Sequence, residues 1–274
     1  MKKPGIFFLL FLFGMIVYFA GGYWAGLSTI ARSITKTMLP VIFLLLTLTA
    51  KRFEHLRAWQ GVFLALLAAS FGFLVSWWLA KPLLAALGVS PKTASGLALA
   101  KLVDSILIVL PVLVVMRVGG VKPAELFIHK GKLYLWLMIG LIGFFVFFLL
   151  FLLQFRQQGL STSQLFSWTP WILVFISANA FMEELHFRGL LLRPYENLLG
   201  KAGANFCIAL FFTLVHVPIT YTANIGQFLV ILFILALAWG YIIQKTESLW
   251  GAVLFGIKFE AFSFNGIYQN IKKF

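Results

Sequence analysis

Long apolar runs alternate with short polar connectors along the whole of this chain. The runs are about 20 residues long, which is the length that an α-helix needs to cross a bilayer. Nine helices are predicted from them, at 5–27, 37–50, 58–80, 95–116, 133–155, 170–192, 203–217, 225–244 and 248–268. The second is short enough to be tilted or re-entrant, so we expect an all-α, polytopic transmembrane bundle of eight or nine helices.

The connectors also predict how the bundle is oriented and divided. Lys and Arg concentrate in cytoplasmic connectors, and their distribution here favours a cytoplasmic N-terminus. The first apolar run is predicted to be a membrane helix, with a cleaved signal peptide as the alternative. We divide this single integral membrane unit into N-terminal transmembrane helices over 1–132 and a membrane core over 133–274.

The composition is that of a multi-pass integral membrane protein. Of the 274 residues, 62% are hydrophobic and only 11% are charged, whereas about a quarter are charged in soluble proteins. The net charge is +14, but the basic residues fall mostly between apolar runs, where they meet anionic lipid head groups. We therefore expect the lipid bilayer as a partner and no nucleic acid. Cys207 is the only cysteine, which excludes an internal disulfide and a thiolate metal site.

Two adjacent glutamates, Glu183 and Glu184, stand inside an apolar run of a chain that has only eight acidic residues. Burying them costs several kcal/mol unless they have partners or chemistry to perform. Neighbouring residues of an α-helix point about 100° apart, so the two acids have different roles. Arg188 follows Glu184 by four residues and is expected to form an ion pair with it. Glu183 is then a candidate general base, the alternative being that both acids only hold helices together.

His216 is predicted to lie near a helix end, because Pro218 disfavours helical geometry in the residue before it. If the chain reverses at Gly200, Glu183 and His216 reach the same level of an antiparallel hairpin. A carboxylate and an imidazole at one depth could hold and deprotonate a water molecule. The residues that we expect to support this pair are Asn179, His186 and Phe212.

The pattern Glu183-Glu184-x-x-x-Arg188, followed by Phe212-x-x-x-His216, resembles the first two motifs of the type II CAAX prenyl endopeptidases. Their bacterial relatives include bacteriocin-processing and immunity enzymes. The resemblance covers roughly residues 165–265 and implies a CAAX-protease-like core within 133–274. It also implies that Glu183 and His216 activate the hydrolytic water, that Glu184 pairs with Arg188, and that the substrate is a membrane-associated or lipidated peptide.

The third motif of that family is only partly present. Ser248-Leu249-Trp250 matches its beginning, but the histidine and asparagine that are thought to stabilise the oxyanion fall on Gly256 and Glu260. Losing an oxyanion donor typically slows a reaction by about two to three orders of magnitude. Two hypotheses follow: an intramembrane endopeptidase, or a catalytically impaired pseudoprotease that acts as a membrane scaffold or immunity protein.

A metal cofactor and a transport function are the remaining alternatives. The family's older metalloprotease label implies a divalent metal such as zinc, for which the chain offers Glu183, His216 and Glu260. The spacing does not match the His-Glu-x-x-His signature, so the sequence does not require a metal and we assign no residue to one. A proton-coupled transporter using Asp104 and the glutamates is disfavoured, because paired broken helices in two halves are absent from the pattern.

Overall fold

The computed structural model describes residues 2–23, 26–157, 162–218 and 224–256, and every regular element in these ranges is helical. The predicted all-α bundle is therefore confirmed. Nine α-helices are present in the described part of the chain: α1 Lys3–Gly14, α2 Thr29–Arg52, α3 Gln60–Ala86, α4 Ala94–Val118, α5 Leu133–Gln157, α6 Thr162–Glu184, α7 Leu190–Leu214, α8 Ile225–Thr246 and α9 Trp250–Gly256.

Short segments of other helical types join or extend these elements. Met15–Tyr23 continues α1 as a π-helix, and Leu185–Gly189 joins α6 to α7 in the same conformation. The 3₁₀ turns Glu54–Trp59 and Pro123–Leu126 precede α3 and follow α4. The continuation of α9 that the sequence predicts as far as 268 lies outside the described residues.

The described helices include six that are long and apolar enough to cross a membrane. They are Lys3–Gly22, Thr29–Arg52, Glu54–Ala86, Ala94–Val118, Phe166–Leu214 and Ile225–Thr246. A shorter apolar helix covers Leu133–Val146. The chain is therefore a multi-pass membrane protein, and one 49-residue run, Phe166–Leu214, contains two of the predicted helices.

The second helix is the clearest error of the sequence prediction. The range 37–50 suggests a short, tilted or re-entrant segment, but α2 runs from Thr29 to Arg52 and is 24 residues long. Ser28 caps its N-terminus by accepting a hydrogen bond from the backbone amide of Ala31 at 3.2 Å. The buried Lys36 is tolerated inside the span because its Nζ donates to the carbonyls of Gly21 and Gly22, at 2.6 and 3.3 Å.

The core lies where α1 and α3 pack against the α6–α7 segment. The ring of Tyr18 is 4.4 Å from that of Phe187 and 5.5 Å from that of Phe211. A second tyrosine, Tyr195, donates its hydroxyl to the carbonyl of Leu10 at 3.0 Å. These contacts fix the helix that carries the glutamate pair against the N-terminal part of the bundle.

Candidate active site

The ion pair expected between Glu184 and Arg188 is present in the buried centre of the bundle. Nη1 of Arg188 donates to Oε1 of Glu184 at 3.0 Å, and the arginine is 0% exposed. Glu184 is the last residue of α6, and Arg188 lies one turn later. Because a single unpaired charge at this depth is strongly destabilising, each of the two ions requires the other.

Two aromatic rings and a backbone carbonyl complete the surroundings of Arg188. Its Cζ lies 4.1 Å from the ring centroid of Phe212 and 5.5 Å from that of Trp239, and these two rings meet edge to face. Nη2 donates to the carbonyl of Ala236 at 3.4 Å. A guanidinium is attracted to the faces of aromatic rings. Arg188 therefore connects α6 to α7 and α8, and its own position is fixed.

The π-helical segment Leu185–Gly189 directs His186 towards other helices. A π-turn holds one more residue than an α-turn, so a side chain three positions after the first glutamate no longer lies on the same face. The His186 ring packs on Tyr18 and Phe73, and its Nε2 donates to the carbonyl of Ala69 at 3.2 Å. His186 thus joins this segment to α3 and to the π-helical extension of α1.

Glu183 differs from its neighbour because it is only half-buried. Among the described residues its carboxylate takes part in no hydrogen bond or ion pair. Its charge nevertheless acts on Glu184, Arg188 and His216, which places all four groups in one electrostatic cluster. Within that cluster the Arg188 cation is already engaged by Glu184, so Glu183 is the acid that remains available for chemistry.

His216 lies just beyond the end of α7, in the turn before Pro218, and is half-buried. Its ring is 4.7 Å from the ring of Phe212. Nδ1 donates to the Phe212 carbonyl at 2.7 Å, since a carbonyl oxygen can only accept. A neutral imidazole that donates from Nδ1 carries its lone pair on Nε2. Nε2 is therefore the ring atom that can accept a proton.

The hairpin about Gly200 brings Glu183 and His216 to one depth. Gly200 breaks the helix with φ +77° and ψ 169°, a conformation that favours glycine. On the two arms, the rings of Phe187 and Phe212 lie 4.8 Å apart. Glu183 precedes Phe187 by four residues, and His216 follows Phe212 by four residues. In each case this is about one helical turn. The two candidate catalytic side chains are therefore one turn away from a direct contact between the arms.

The remaining predicted residues lie around this cluster or outside the described part of the chain. Asn179 is buried one turn before the first glutamate, and its Oδ1 has no hydrogen-bond partner among the described residues. A Cβ built on Gly256 lies 3.9 Å from Cε2 and Cζ2 of Trp239, so this position faces the ring that packs beside Arg188. Glu260 lies outside the described residues.

Two aromatic residues of this region are not found by sequence reasoning. The Tyr18 hydroxyl donates to the His186 carbonyl, in the segment where the π-turn replaces the usual helical hydrogen bonds. Trp239 covers Arg188 from α8. Both residues stand in apolar runs, where no spacing or polar neighbour separates a packing aromatic from a lipid-facing one.

A zinc site is not formed by the residues that the structure describes. In those ranges there is no group of three or more His, Cys, Asp or Glu side chains that could hold a metal ion. Glu183 and His216 supply two of the three protein ligands that a catalytic zinc usually has, and Glu260, the third candidate, lies outside the described residues.

Comparison with protein families identifies the region that carries this cluster. Residues 165–259 match the family model for the Type II CAAX prenyl endopeptidase Rce1-like proteins. The match covers about a third of the chain and includes Glu183, Glu184, Arg188, His216 and Gly256. It confirms the resemblance that the two motifs suggest. Neither a curated protein nor a solved structure matches the chain at a significant level.

Proposed function

We propose that this protein is an intramembrane endopeptidase that hydrolyses a membrane-associated or lipidated peptide through a water activated by Glu183 and His216. The observation that carries the proposal is that the two glutamates of the electrostatic cluster have different partners. Glu184 is held by Arg188 at 3.0 Å, whereas Glu183 is half-buried and acts on the His216 ring. A free carboxylate opposite an imidazole whose Nε2 can accept a proton is suited to general base catalysis.

The proposed reaction consumes one water for each peptide bond. Glu183 takes one proton from the water while Nε2 of His216 accepts a hydrogen bond from the other. The water oxygen attacks the carbonyl carbon of the peptide bond. The new C–O bond gives a tetrahedral oxyanion. Collapse of this intermediate breaks the C–N bond, and the proton held by Glu183 passes to the leaving amine. The products are a carboxylic acid and an amine, which ionise to a carboxylate and an ammonium, and Glu183 returns to its ionised form.

The substrate class follows from the setting of the cluster and from the matched family. The catalytic pair lies among helices long enough to cross a bilayer, so a substrate must reach it from the membrane or its surface. The family description names prenyl endopeptidases, which act on lipidated C-termini. We therefore propose a peptide that is anchored in the bilayer by a lipid or an apolar segment.

The test is cleavage of reporter peptides by the purified full chain in liposomes. Glu183→Ala is expected to abolish cleavage while the melting temperature stays nearly unchanged, because no described group bonds to this carboxylate. Glu54→Ala, which removes an exposed acid outside the cluster, is the matched control and should cleave normally. Equal activity of the wild type and Glu183→Ala would contradict the proposal.

A catalytically impaired scaffold is the second candidate, and Gly256 is the observation that favours it. Glycine has no side chain to donate a hydrogen bond to an oxyanion. A Cβ at this position would lie in ordinary contact with Trp239, at 3.9 Å, so a side chain can start there without a backbone clash. Restoring the motif with Gly256→His and Glu260→Asn is expected to raise a weak hydrolysis rate by about 100-fold or more. Wild-type and restored proteins that are both inactive across a broad peptide set would favour the scaffold.

A further inference from the structure

An apolar groove on the outer face of α2, α3 and α4 is separate from the candidate active site. Its volume is about 590 Å³. Leucine, valine, proline and phenylalanine side chains form most of its walls, among them Val41, Leu44, Leu67, Phe71, Val114 and Val118. The polar side chains of Lys51 and Gln60 lie at one end. The groove therefore has an apolar body and a polar, cationic end.

The length of the groove matches one leaflet of a bilayer. Along α2 its lining extends from Thr37 to Lys51, which at 1.5 Å per residue is about 21 Å. One leaflet of a bilayer consists of about 15 Å of hydrocarbon, or about 20–22 Å when its head-group region is included. Lys51 is in the last turn of α2, at the membrane boundary. A chain of hydrocarbon can thus lie along the groove while its polar end remains at the interface.

The two threonines inside the groove do not make its body polar. The hydroxyl of Thr37 donates to the Ser33 carbonyl at 2.8 Å, and that of Thr47 donates to the Phe43 carbonyl at 2.7 Å. Each hydroxyl is therefore satisfied by its own helix. An occupant of the groove needs no hydrogen-bonding groups below its head group, as is the case for an acyl chain.

A second apolar groove lies on the other side of α4. It has a volume of about 400 Å³, shares Val114 and Val118 with the first groove, and is lined at its end by Arg117. Val114 is 59% exposed and Val118 is 83% exposed, so these valines form a ridge between two grooves. Two hydrocarbon chains that share one head group fit this arrangement better than a single chain does.

Basic residues gather at the end where both grooves meet the interface. They are Lys51, Arg52, Arg57, Arg117 and Lys122, and the ion pairs of the described residues involve none of them. The acids nearby are few: Glu54 is exposed, and Glu125 accepts from the backbone amide of Lys122. This end of the bundle therefore offers positive charge that the protein does not neutralise.

We propose that the two grooves bind one anionic diacyl phospholipid, with an acyl chain on each side of the Val114–Val118 ridge and its phosphate between Lys51 and Arg117. Each basic residue near a membrane surface contributes about a few-fold in affinity for an anionic lipid. Removing both contacts should weaken binding by about thirty-fold. The proposal does not depend on hydrolysis, because the grooves lie on helices that do not carry Glu183 or His216.

The experiment is native mass spectrometry of the full chain in detergent with added dioleoyl phosphatidylglycerol or dioleoyl phosphatidylcholine. We expect one phosphatidylglycerol to be retained at a concentration at least ten times lower than phosphatidylcholine requires. The double variant Lys51→Gln, Arg117→Gln should lose most of this preference. The matched control, Lys81→Gln with Lys92→Gln, removes two exposed cations at the other end of α3 and α4 and should keep it.

Three results would overturn the proposal. Equal retention of both lipids by the wild type would mean that charge does not select the occupant. This comparison uses only the wild-type protein, so it does not depend on the folding of a variant. An equal loss in the control variant would indicate attraction to net charge alone. Displacement of bound phosphatidylglycerol by stoichiometric farnesyl diphosphate would show instead that the groove prefers an isoprenoid chain.

Discussion

Charge is buried inside the membrane helices at two places, and the two are built differently. In the N-terminal helices, Lys36 caps the end of the first span through two carbonyls. Asp104 accepts a hydrogen bond from Ser76 and pairs with Lys101 at 3.9 Å. Lys36 is buried, whereas Asp104 and Lys101 are partly exposed, and each of these charged groups has a partner. This region therefore uses charge to hold helices together.

The region at the end of α6 buries charge more deeply, yet it leaves Glu183 without a hydrogen bond or ion pair among the described residues. Arg188 is engaged by Glu184, by the Ala236 carbonyl and by two aromatic rings, although its Nε has no hydrogen-bond partner among the described residues. Glu183, its neighbour in sequence, has none of these contacts. This difference supports the proposal that Glu183, and not Glu184, acts on the substrate. Stability measurements can separate the two uses of charge.

The largest loss of stability is expected for Arg188→Leu. The variant leaves the buried Glu184 carboxyl without its partner and removes the cation from two aromatic rings, which should cost about 3–5 kcal/mol. Unfolding of the purified protein in mixed micelles measures the change. Arg193→Leu is the matched control, because Arg193 also pairs with a glutamate, at 2.8 Å, but is partly exposed. A cost of about 0–1 kcal/mol is expected there, and equal costs would contradict the contrast.

A smaller loss is expected for Lys36→Met. The substitution keeps the length of the side chain but removes the donor for the Gly21 and Gly22 carbonyls, which should cost about 1–3 kcal/mol. The same unfolding assay applies. Lys101→Met, at a partly exposed ion pair, should cost less. A Lys36→Met variant as stable as the wild type would show that this lysine does not cap the first span.

The double variant Glu184→Leu, Arg188→Leu should be more stable than Arg188→Leu alone. Replacing both members of a buried ion pair by apolar residues is often close to neutral, whereas removing one member is not. Recovery of at least half of the lost free energy of unfolding is the expected result. A double variant no more stable than the single one would mean that the aromatic and carbonyl contacts of the arginine carry most of the stability.

The smallest change in stability is expected for Glu183→Gln. No described group bonds to this carboxylate, so the effect should stay within about 0.5 kcal/mol. Cleavage should nevertheless be lost, because an amide cannot accept the proton of the water. Strong destabilisation by Glu183→Gln would show that Glu183, like Lys36 and Asp104, serves to hold helices together. The two regions would then not differ in how they use charge.

The helices were predictable from the sequence where apolar runs are uninterrupted, as in α3, α4 and α8. The prediction failed at α2, because Arg32 and Lys36 look like the boundary of a membrane span. Only the packing of α2 against the end of the first span supplies carbonyls for the lysine. In a sequence, a polar residue looks like the end of a membrane span. It can lie inside the span when a residue distant along the chain supplies its hydrogen-bond partner.

The parts of the candidate site that are formed by residues close together in the sequence were predictable. The four-residue spacing of Glu184 and Arg188 gives their pair, and Gly200 gives the reversal of the chain. The direction of His186 was not predictable, because the π-turn that follows α6 changes which face the ring occupies. The aromatic cover on Arg188 was also hidden, since Trp239 comes from a helix about 50 residues further along.

The amino-acid sequence by itself determines that this chain forms apolar helices, where they reverse, and which scarce acids lie within them. These properties follow from spacing and hydrophobicity, which act over a few turns of helix. Tertiary structure alone decides that Lys36 meets the carbonyls of Gly21 and Gly22 and that Phe212 and Trp239 pack on Arg188. A charge buried in a membrane is stabilised by groups within a few ångströms, and these groups come from other helices, whose packing is not specified by spacing along the chain.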